Sequence, residues 1–134
     1  MAGYSGTPLA TKLGIKAGQR LAFPNAPEEF AKLLGELPGG VLVRERVRGP
    51  LDVIVFFTKS RTELERRLPA LRRAMDPAAG LWIAWPKRAS GVETDMTEDV
   101  VRDLGLANAL VDNKVCAIDE TWSGLRLVIR LRDR

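Results

Sequence analysis

The stretch that decides the fold is Asp52-Val53-Ile54-Val55-Phe56-Phe57, an apolar run without polar alternation after its first residue. Such a strand is typical of a parallel sheet that helices cover on both faces. A second run of the same kind, Leu81-Trp82-Ile83-Ala84-Trp85, follows a helical segment that opens with the capping-box sequence Ser60-Arg61-Thr62-Glu63. Two buried strands joined by a helix predict a right-handed β-α-β unit at the centre of a sheet.

The segments on either side extend this alternation of strands and helices. Apolar patterning predicts strands over 21–23, 41–47, 52–57, 81–85, 114–118 and 125–131, with helices over 27–37, after Ser60 and after the cap at 95–98. The connection between the last two strands is too short for a crossover, so they form an antiparallel hairpin. The sequence therefore predicts an α/β, three-layer Rossmann-like sandwich with a mostly parallel sheet of five or six strands. We expect one domain over 1–134, with residues 1–18 as a lead-in that contains a short helix.

Composition excludes several classes of protein. The chain has 134 residues, of which 46% are hydrophobic and 28% charged, values that favour a folded globular domain. No apolar run approaches the roughly 20 residues that a membrane-spanning helix needs. The first six residues do not resemble a secretory signal, and a single cysteine permits no internal disulfide. We therefore expect a cytoplasmic protein without membrane contact.

Familiar catalytic groups are scarce. The chain has no histidine, so neither the usual proton carrier nor the commonest metal ligand is present, and we expect no metal site and assign no catalytic residue. Cys116 lies in an apolar strand and is interpreted as a buried, unreactive thiol. Asp119 and Glu120 are neighbours in an extended segment, where they point to opposite faces, so a turn is favoured over an acid–base pair.

Candidate binding residues follow from a general property of open α/β sheets, which bind ligands outside the carboxyl ends of their parallel strands. Lys59 and Lys87, with free amides at the helix start after Ser60, could hold a phosphate or carboxylate. The connection at 86–92 is also long for such a fold. The predicted ligand-binding residues are Asn25, Lys59, Ser60, Lys87, Ser90, Glu120 and Trp122. The alternative interpretation is that Ser60 only caps a helix, that the lysines are solvated and that the loop has no binding role.

Long blocks of the sequence resemble a family of small bacterial proteins catalogued as a domain of unknown function. The matching blocks are Gly3-Tyr4-Ser5-Gly6-Thr7-Pro8-Leu9, Leu13-Gly14-Ile15-Lys16, Leu81-Trp82-Ile83-Ala84-Trp85-Pro86-Lys87 and Val115-Cys116-Ala117-Ile118-Asp119-Glu120-Thr121-Trp122-Ser123-Gly124-Leu125. The resemblance covers nearly the whole chain and implies no particular activity.

The order of elements in the second half is similar to the ending of the class I S-adenosylmethionine-dependent methyltransferase fold. That resemblance implies a Gly-rich turn after the first strand and an acidic residue at the end of the second, which holds a ribose hydroxyl. Here the turn reads Phe23-Pro24-Asn25-Ala26-Pro27 and contains no glycine. On the predicted boundaries Glu45 lies within the second strand rather than at its end. No cofactor is therefore predicted.

Three functional hypotheses remain. The preferred one is a non-catalytic binding or regulatory domain that holds a small anionic ligand or a protein partner at the carboxyl edge of the sheet. The first alternative is a reduced S-adenosylmethionine-dependent methyltransferase. The second is nucleic-acid binding through the arginines of 61–73 and 126–134, which is not favoured because acidic residues interrupt the first cluster. A homodimer through an exposed edge strand at 41–47 is compatible with all three.

Overall fold

The computed structural model describes residues 7–134, whose strands form one six-stranded sheet. The strands are β1 (Arg20–Ala22), β2 (Leu42–Arg44), β3 (Leu51–Phe57), β4 (Met75–Pro86), β5 (Leu110–Ala117) and β6 (Trp122–Ile129). Across the sheet they lie in the order β2-β1-β3-β4-β6-β5. The first four strands in this order are parallel, β6 is antiparallel to β4, and β5 is antiparallel to β6. The predicted mostly parallel sheet with an antiparallel C-terminal hairpin is therefore confirmed.

Helices connect these strands. They are α1 (Leu9–Lys12), α2 (Phe30–Leu34), α3 (Arg61–Ala74) and α4 (Glu98–Ala107), with short 3-10 turns at Arg88–Ser90 and Leu131–Asp133. The predicted lead-in helix corresponds to α1, whereas the predictions for residues 1–6 lie outside the described residues. Within 7–134, no helix is long and apolar enough to cross a membrane.

The apolar character of β3 and β4 follows from their burial on both faces. Ile54 and Phe56 contribute to a core beneath α3 and α4, whereas Val55 belongs to a second core on the face of α1 and α2. The two tryptophans of β4 divide in the same way, since Trp82 packs in the second core and Trp85 in the first. Alternation along a strand thus places large side chains in both layers, as the sequence predicts.

Helix α3 is continuous at a position where its sequence predicts an interruption. Ser60 caps it, and Leu64, Leu68 and Leu71 form a fully buried stripe against the sheet. Pro69 is expected to kink or restart the helix, but the element continues through it. Pro69 is exposed, so the backbone hydrogen bond that proline removes is lost on the solvent-facing side of the helix. The buried stripe packs both halves of the helix against the sheet.

Residues 76–80, whose sequence Asp-Pro-Ala-Ala-Gly is typical of a turn, form a bulge inside β4. Met75 pairs with Leu51 and Gly80 pairs with Val53, so the four residues 76–79 of β4 lie opposite the single residue Asp52 of β3. Asp76 closes the bulge by accepting a hydrogen bond from the amide of Ala78 at 3.0 Å. The residue types at 76–80 indicate a turn, but they do not indicate that Met75, which precedes it, pairs with β3.

An ion pair fixes the amino ends of β1 and β3. The guanidinium of Arg20 donates two hydrogen bonds of 3.0 Å to the carboxylate of Asp52, and the Arg20 amide donates a third at 2.7 Å. These hydrogen bonds hold the pKa of Asp52 below its ordinary value. The bidentate geometry makes this pair a stabilising contact at the edge opposite the candidate site.

Candidate functional site

The turn after β1 lies at the carboxyl edge of the parallel strands. The amide of Ala26 donates to the carbonyl of Phe23 at 3.2 Å, and Asn25 has a left-handed φ of 62°. Proline at the second position and asparagine with positive φ at the third are the features of a type II turn. The tight bend is therefore made by Pro24 and Asn25, without glycine.

This turn is attached to the end of β3. The side-chain amide of Asn25 donates to the carbonyl of Phe57 at 3.0 Å, and the amide of Phe57 donates to the carbonyl of Pro24 at 3.1 Å. The loops that follow two adjacent parallel strands thus form one rigid unit.

Glu63 extends the unit into α3. The hydroxyl of buried Thr58 donates to the carboxylate of Glu63 at 2.5 Å, and Asn25 contacts the same carboxylate at 3.5 Å. Ser60 accepts a hydrogen bond from the Glu63 amide at 3.1 Å, which confirms the predicted cap. The reciprocal half of the capping box is absent, because the amide of Ser60 donates to Thr58 and Glu63 turns toward Thr58 instead.

Two amides at the start of α3 already have partners within the protein. The amide of Arg61 donates to the carboxylate of Asp95 at 2.8 Å, and the amide of Glu63 is bonded to Ser60. Asp95 is expected to belong to the cap of α4, but that helix is capped by Thr97. An acidic side chain of the protein itself therefore satisfies the helix start, which argues against a phosphate there.

The loop after β4 folds over the same edge. Lys87 donates its amide to the carbonyl of Thr121 at 2.8 Å, which ties the loop to the turn between β5 and β6. The hydroxyl of Ser90 donates to the carbonyl of Lys87 at 2.7 Å, and Thr94 donates to the carbonyl of Lys59 at 2.6 Å. The Lys59 side chain is exposed and that of Lys87 half-buried. This loop is thus anchored at both of its ends.

The turn between β5 and β6 has a structural acid and an aromatic anchor. The carboxylate of Asp119 accepts hydrogen bonds from the amides of Thr121 and Trp122 at 2.8 and 2.7 Å. Glu120 is exposed, and the turn that the sequence favours is held by the carboxylate of Asp119. Trp122 is buried and meets the ring of Phe57 edge-on at 5.1 Å.

A row of aromatic rings beneath this edge was not anticipated. Phe23 contacts Phe30 at 5.2 Å, Phe30 contacts Phe57 at 4.9 Å, and Phe57 contacts Trp122, each pair edge to face. The row links the Asn25 turn to the Trp122 turn. The structure therefore brings Asn25 and Ser60 together with Thr58 and Glu63, and joins this group through Phe57 to the part of the edge that carries Lys87, Ser90 and Trp122.

Glu45 occupies a different position from the predicted one. Strand β2 ends at Arg44, which pairs with Ala22 at the end of β1, so Glu45 follows the strand directly and is exposed. The strand was expected to reach Val47 because its apolar alternation continues to that residue. Val47 is instead half-buried against the core beneath α3, outside the sheet. An acidic residue therefore lies directly after the second strand.

Cys116 is buried in β5, as expected, and burial raises the pKa of its thiol. A raised pKa leaves little thiolate at neutral pH, so this side chain is a poor nucleophile.

Comparison with known proteins identifies the fold. No family model and no curated protein sequence matches the chain. A solved S-adenosylmethionine-dependent methyltransferase from Aquifex aeolicus superposes with a TM-score of 0.65 at 16% identity, covering 91% of this chain and 88% of that one. DhpI, solved in complex with SAH, gives 0.62 at 10% identity, with coverages of 92% and 81%. Mitomycin 7-O-methyltransferase MmcR gives 0.58 at 9% identity, and this chain, 88% covered, spans only 50% of its length.

These similarities correct the preferred functional hypothesis. A non-catalytic binding domain was favoured over a methyltransferase, but the structural neighbours are methyltransferases and support the alternative instead. Two features of the sequence had argued against a methyltransferase. The turn after β1 contains no glycine, and no acidic residue ends the predicted second strand. Asn25 makes the turn without glycine, and Glu45 lies directly after β2. At these levels of identity the comparison establishes architecture, and the chain has the fold of class I S-adenosylmethionine-dependent methyltransferases.

Proposed function

We propose that this protein is an S-adenosylmethionine-dependent methyltransferase that binds its cofactor at the carboxyl ends of β1, β2 and β3. The observation that carries the proposal is the position of Glu45, directly after β2 and beside the turn that follows β1. The resemblance to methyltransferases assigns an acid at this strand end to the ribose hydroxyls. A carboxylate suits that role because its two oxygens can accept from two neighbouring hydroxyl groups.

The turn after β1 supports the proposal through its backbone. In the methyltransferase pattern, glycine allows the chain to bend tightly and to approach the cofactor. Asn25 adopts the left-handed conformation that glycine would otherwise supply, and asparagine tolerates it better than most residues. Its side chain is bonded to the end of β3, which leaves the outer side of the turn open for contact with a ligand.

The charge of the edge also suits this cofactor. Glu45 and Glu63 flank the turn on its two sides, and Asp95 occupies the start of α3. These carboxylates provide negative charge around the Asn25 turn, which favours a ligand group with positive charge at that part of the edge. S-adenosylmethionine supplies a methyl group on a positively charged sulfur, and transfer to an acceptor nucleophile leaves S-adenosylhomocysteine.

The scarcity of catalytic side chains is compatible with this chemistry. Since the reactive methyl group belongs to the cofactor, the protein has mainly to bind and orient two molecules. Such a role needs no histidine. The acceptor would approach beside Phe57 and Trp122, and we infer that Lys87, Ser90 and Glu120 would contact it, with Lys59 at the border of the edge.

Calorimetric titration with S-adenosylhomocysteine tests the proposal. At about one hundred times its dissociation constant, a ligand stabilises the native state by about 2.7 kcal/mol, so a rise in Tm of about 10 °C should accompany binding. Glu45→Gln should weaken binding about tenfold, because a hydrogen bond to a charged group is lost. Glu36→Gln, at an exposed residue before β2, is the matched control and should bind normally. Failure of the wild type to bind S-adenosylmethionine or S-adenosylhomocysteine would refute the proposal.

Transfer itself is measured with cofactor labelled on the methyl group. Incubation with fractionated small-molecule extract should move label into an acceptor and release S-adenosylhomocysteine. The Glu45→Gln variant should lower this transfer at subsaturating cofactor, while Glu36→Gln should not.

A further inference from the structure

A pocket outside the carboxyl edge lies between the end of α1 and the antiparallel strands. The residues that line it are Lys12, Leu13, Gly14, Asn113, Lys114 and Arg126. Arg126 is four residues from Trp122 along β6, which corresponds to a separation of roughly 13 Å from the carboxyl edge. The pocket is therefore distinct from the proposed cofactor site.

Three of the side chains around this pocket are cations without a carboxylate partner. Within residues 7–134, neither Lys12, Lys114 nor Arg126 forms an ion pair, whereas Arg20 and Arg102 each contact two or more carboxylates. Arg126 is half-buried. Burial, and then the neighbouring charge of Arg134, lowers its pKa. The fold thus holds a partly desolvated positive charge that it does not neutralise, an arrangement that is unfavourable without a compensating anion.

The cations are held in place. Lys114 donates from its ammonium group to the carbonyl of Lys12 at 3.0 Å, and Arg126 donates to the side-chain oxygen of Asn113 at 3.3 Å. Lys114 and Arg126 are register partners in the β5–β6 pair, so they share one face of the sheet.

Gly80 provides the space that the guanidinium occupies. A Cβ atom at this position would overlap the guanidinium of Arg126. At the mouth of the pocket, Gly14 has a φ of 81° and open space beside it. An ammonium group has three donors and a guanidinium five, so most of these donors remain available to a ligand.

We propose that this pocket binds the phosphate group of a small phosphorylated molecule, with Arg126 and Lys114 as its principal contacts and Lys12 as a third positive charge. A guanidinium matches two phosphate oxygens in a bidentate fork, and the lysines add point charges on either side. The cations converge on one pocket rather than forming a track, and none of the lining residues is aromatic. Both features favour a small molecule over a nucleic-acid strand, which needs a groove and stacking surfaces.

Titration with inorganic pyrophosphate, at constant ionic strength set with sodium chloride, tests this site. We expect saturable binding and a rise in Tm for the wild type. Arg126→Gln and Lys114→Gln should each weaken binding about tenfold. Lys32→Gln, which removes an exposed cation from α2, is the control and should bind as the wild type does.

A second measurement separates loss of the site from loss of the fold. In buffer without multivalent anions, Arg126→Gln should melt no lower than the wild type, because the change removes an unpaired cation. Binding of S-adenosylhomocysteine should be the same in this variant, so the two sites can fail independently. The proposal is overturned if pyrophosphate does not saturate the wild type, if both variants bind it unchanged, or if a single-stranded oligonucleotide binds more tightly through the same residues.

Discussion

Replacement of Glu63 by alanine should destabilise the protein and should also weaken the contacts that hold the Asn25 turn at the proposed cofactor site. The carboxylate accepts the 2.5 Å hydrogen bond from Thr58, whose side chain is buried, and contacts Asn25 at 3.5 Å. A hydrogen bond to a charged group contributes about 1.5–3 kcal/mol. We take about 2 kcal/mol as the loss, since Thr58 keeps its contact with Ser60.

The corresponding change in Tm follows from the size of the chain. An unfolding entropy of about 2.1 cal/mol/K per residue gives about 0.28 kcal/mol/K for 134 residues. A loss of about 2 kcal/mol then lowers Tm by about 7 °C. Glu65→Ala is the matched control on the same helix, because Glu65 is exposed and pairs only with exposed Arg61 at 3.3 Å. It should lower Tm by less than about 2 °C.

Thermal unfolding monitored by circular dichroism measures both variants, and titration with S-adenosylhomocysteine follows on the folded proteins. Glu63→Ala should also weaken cofactor binding, since the Asn25 turn loses a neighbour. Equal Tm values for the two variants would show that the Thr58–Glu63–Asn25 contacts do not stabilise the edge, and the reasoning would fail.

Three further predictions concern stability and reactivity. The pKa of Asp52 is lowered by its guanidinium partner, so this pair stabilises the native state fully above about pH 4 and loses its contribution as the pH falls through the lowered pKa. Urea midpoints between pH 2 and 7 should therefore fall less steeply in acid for Asp52→Asn, which should also be less stable at neutral pH. Gly49→Ala should cost about 2 kcal/mol, because the new methyl group would overlap the carbonyl oxygen of Ala74. Gly39→Ala, in open space, should leave the urea midpoint nearly unchanged. Cys116 should resist a maleimide at pH 7 in the native protein and react rapidly in urea, and fast native labelling would contradict its burial.

The strands of the sheet were largely predictable from the sequence, because the pattern of apolar residues reflects which side chains are buried. Strands buried on both faces, such as β3 and β4, have continuous apolar runs, and the last hairpin has clear alternation. The ends of strands were less predictable where an apolar residue is buried by contacts outside the sheet. Val47 packs against the core outside the sheet, so β2 ends three residues earlier than its pattern indicated.

The candidate site was predicted in part, since strand ends can be found from sequence but side-chain partners cannot. Asn25, Ser60 and Trp122 lie at the carboxyl edge as expected. Glu63 was interpreted only as a capping residue, and Asp95 only as part of another cap. The contact of Asp95 with Arg61 joins the loop after β4 to the start of α3, and Glu63 turns back five residues to Thr58 instead of to the amide of Ser60. The pattern Pro24-Asn25 did contain a usable signal, because proline followed by asparagine is typical of a type II turn.

The most direct test of the account is an amide chemical-shift titration of labelled protein with S-adenosylhomocysteine. Saturable shifts are expected at 23–26, at Glu45 and at 57–63, with little change around Lys114 and Arg126. Saturable shifts confined to Lys114, Arg126 and the end of α1, or no shifts at all, would contradict a cofactor site at the carboxyl ends of β1, β2 and β3.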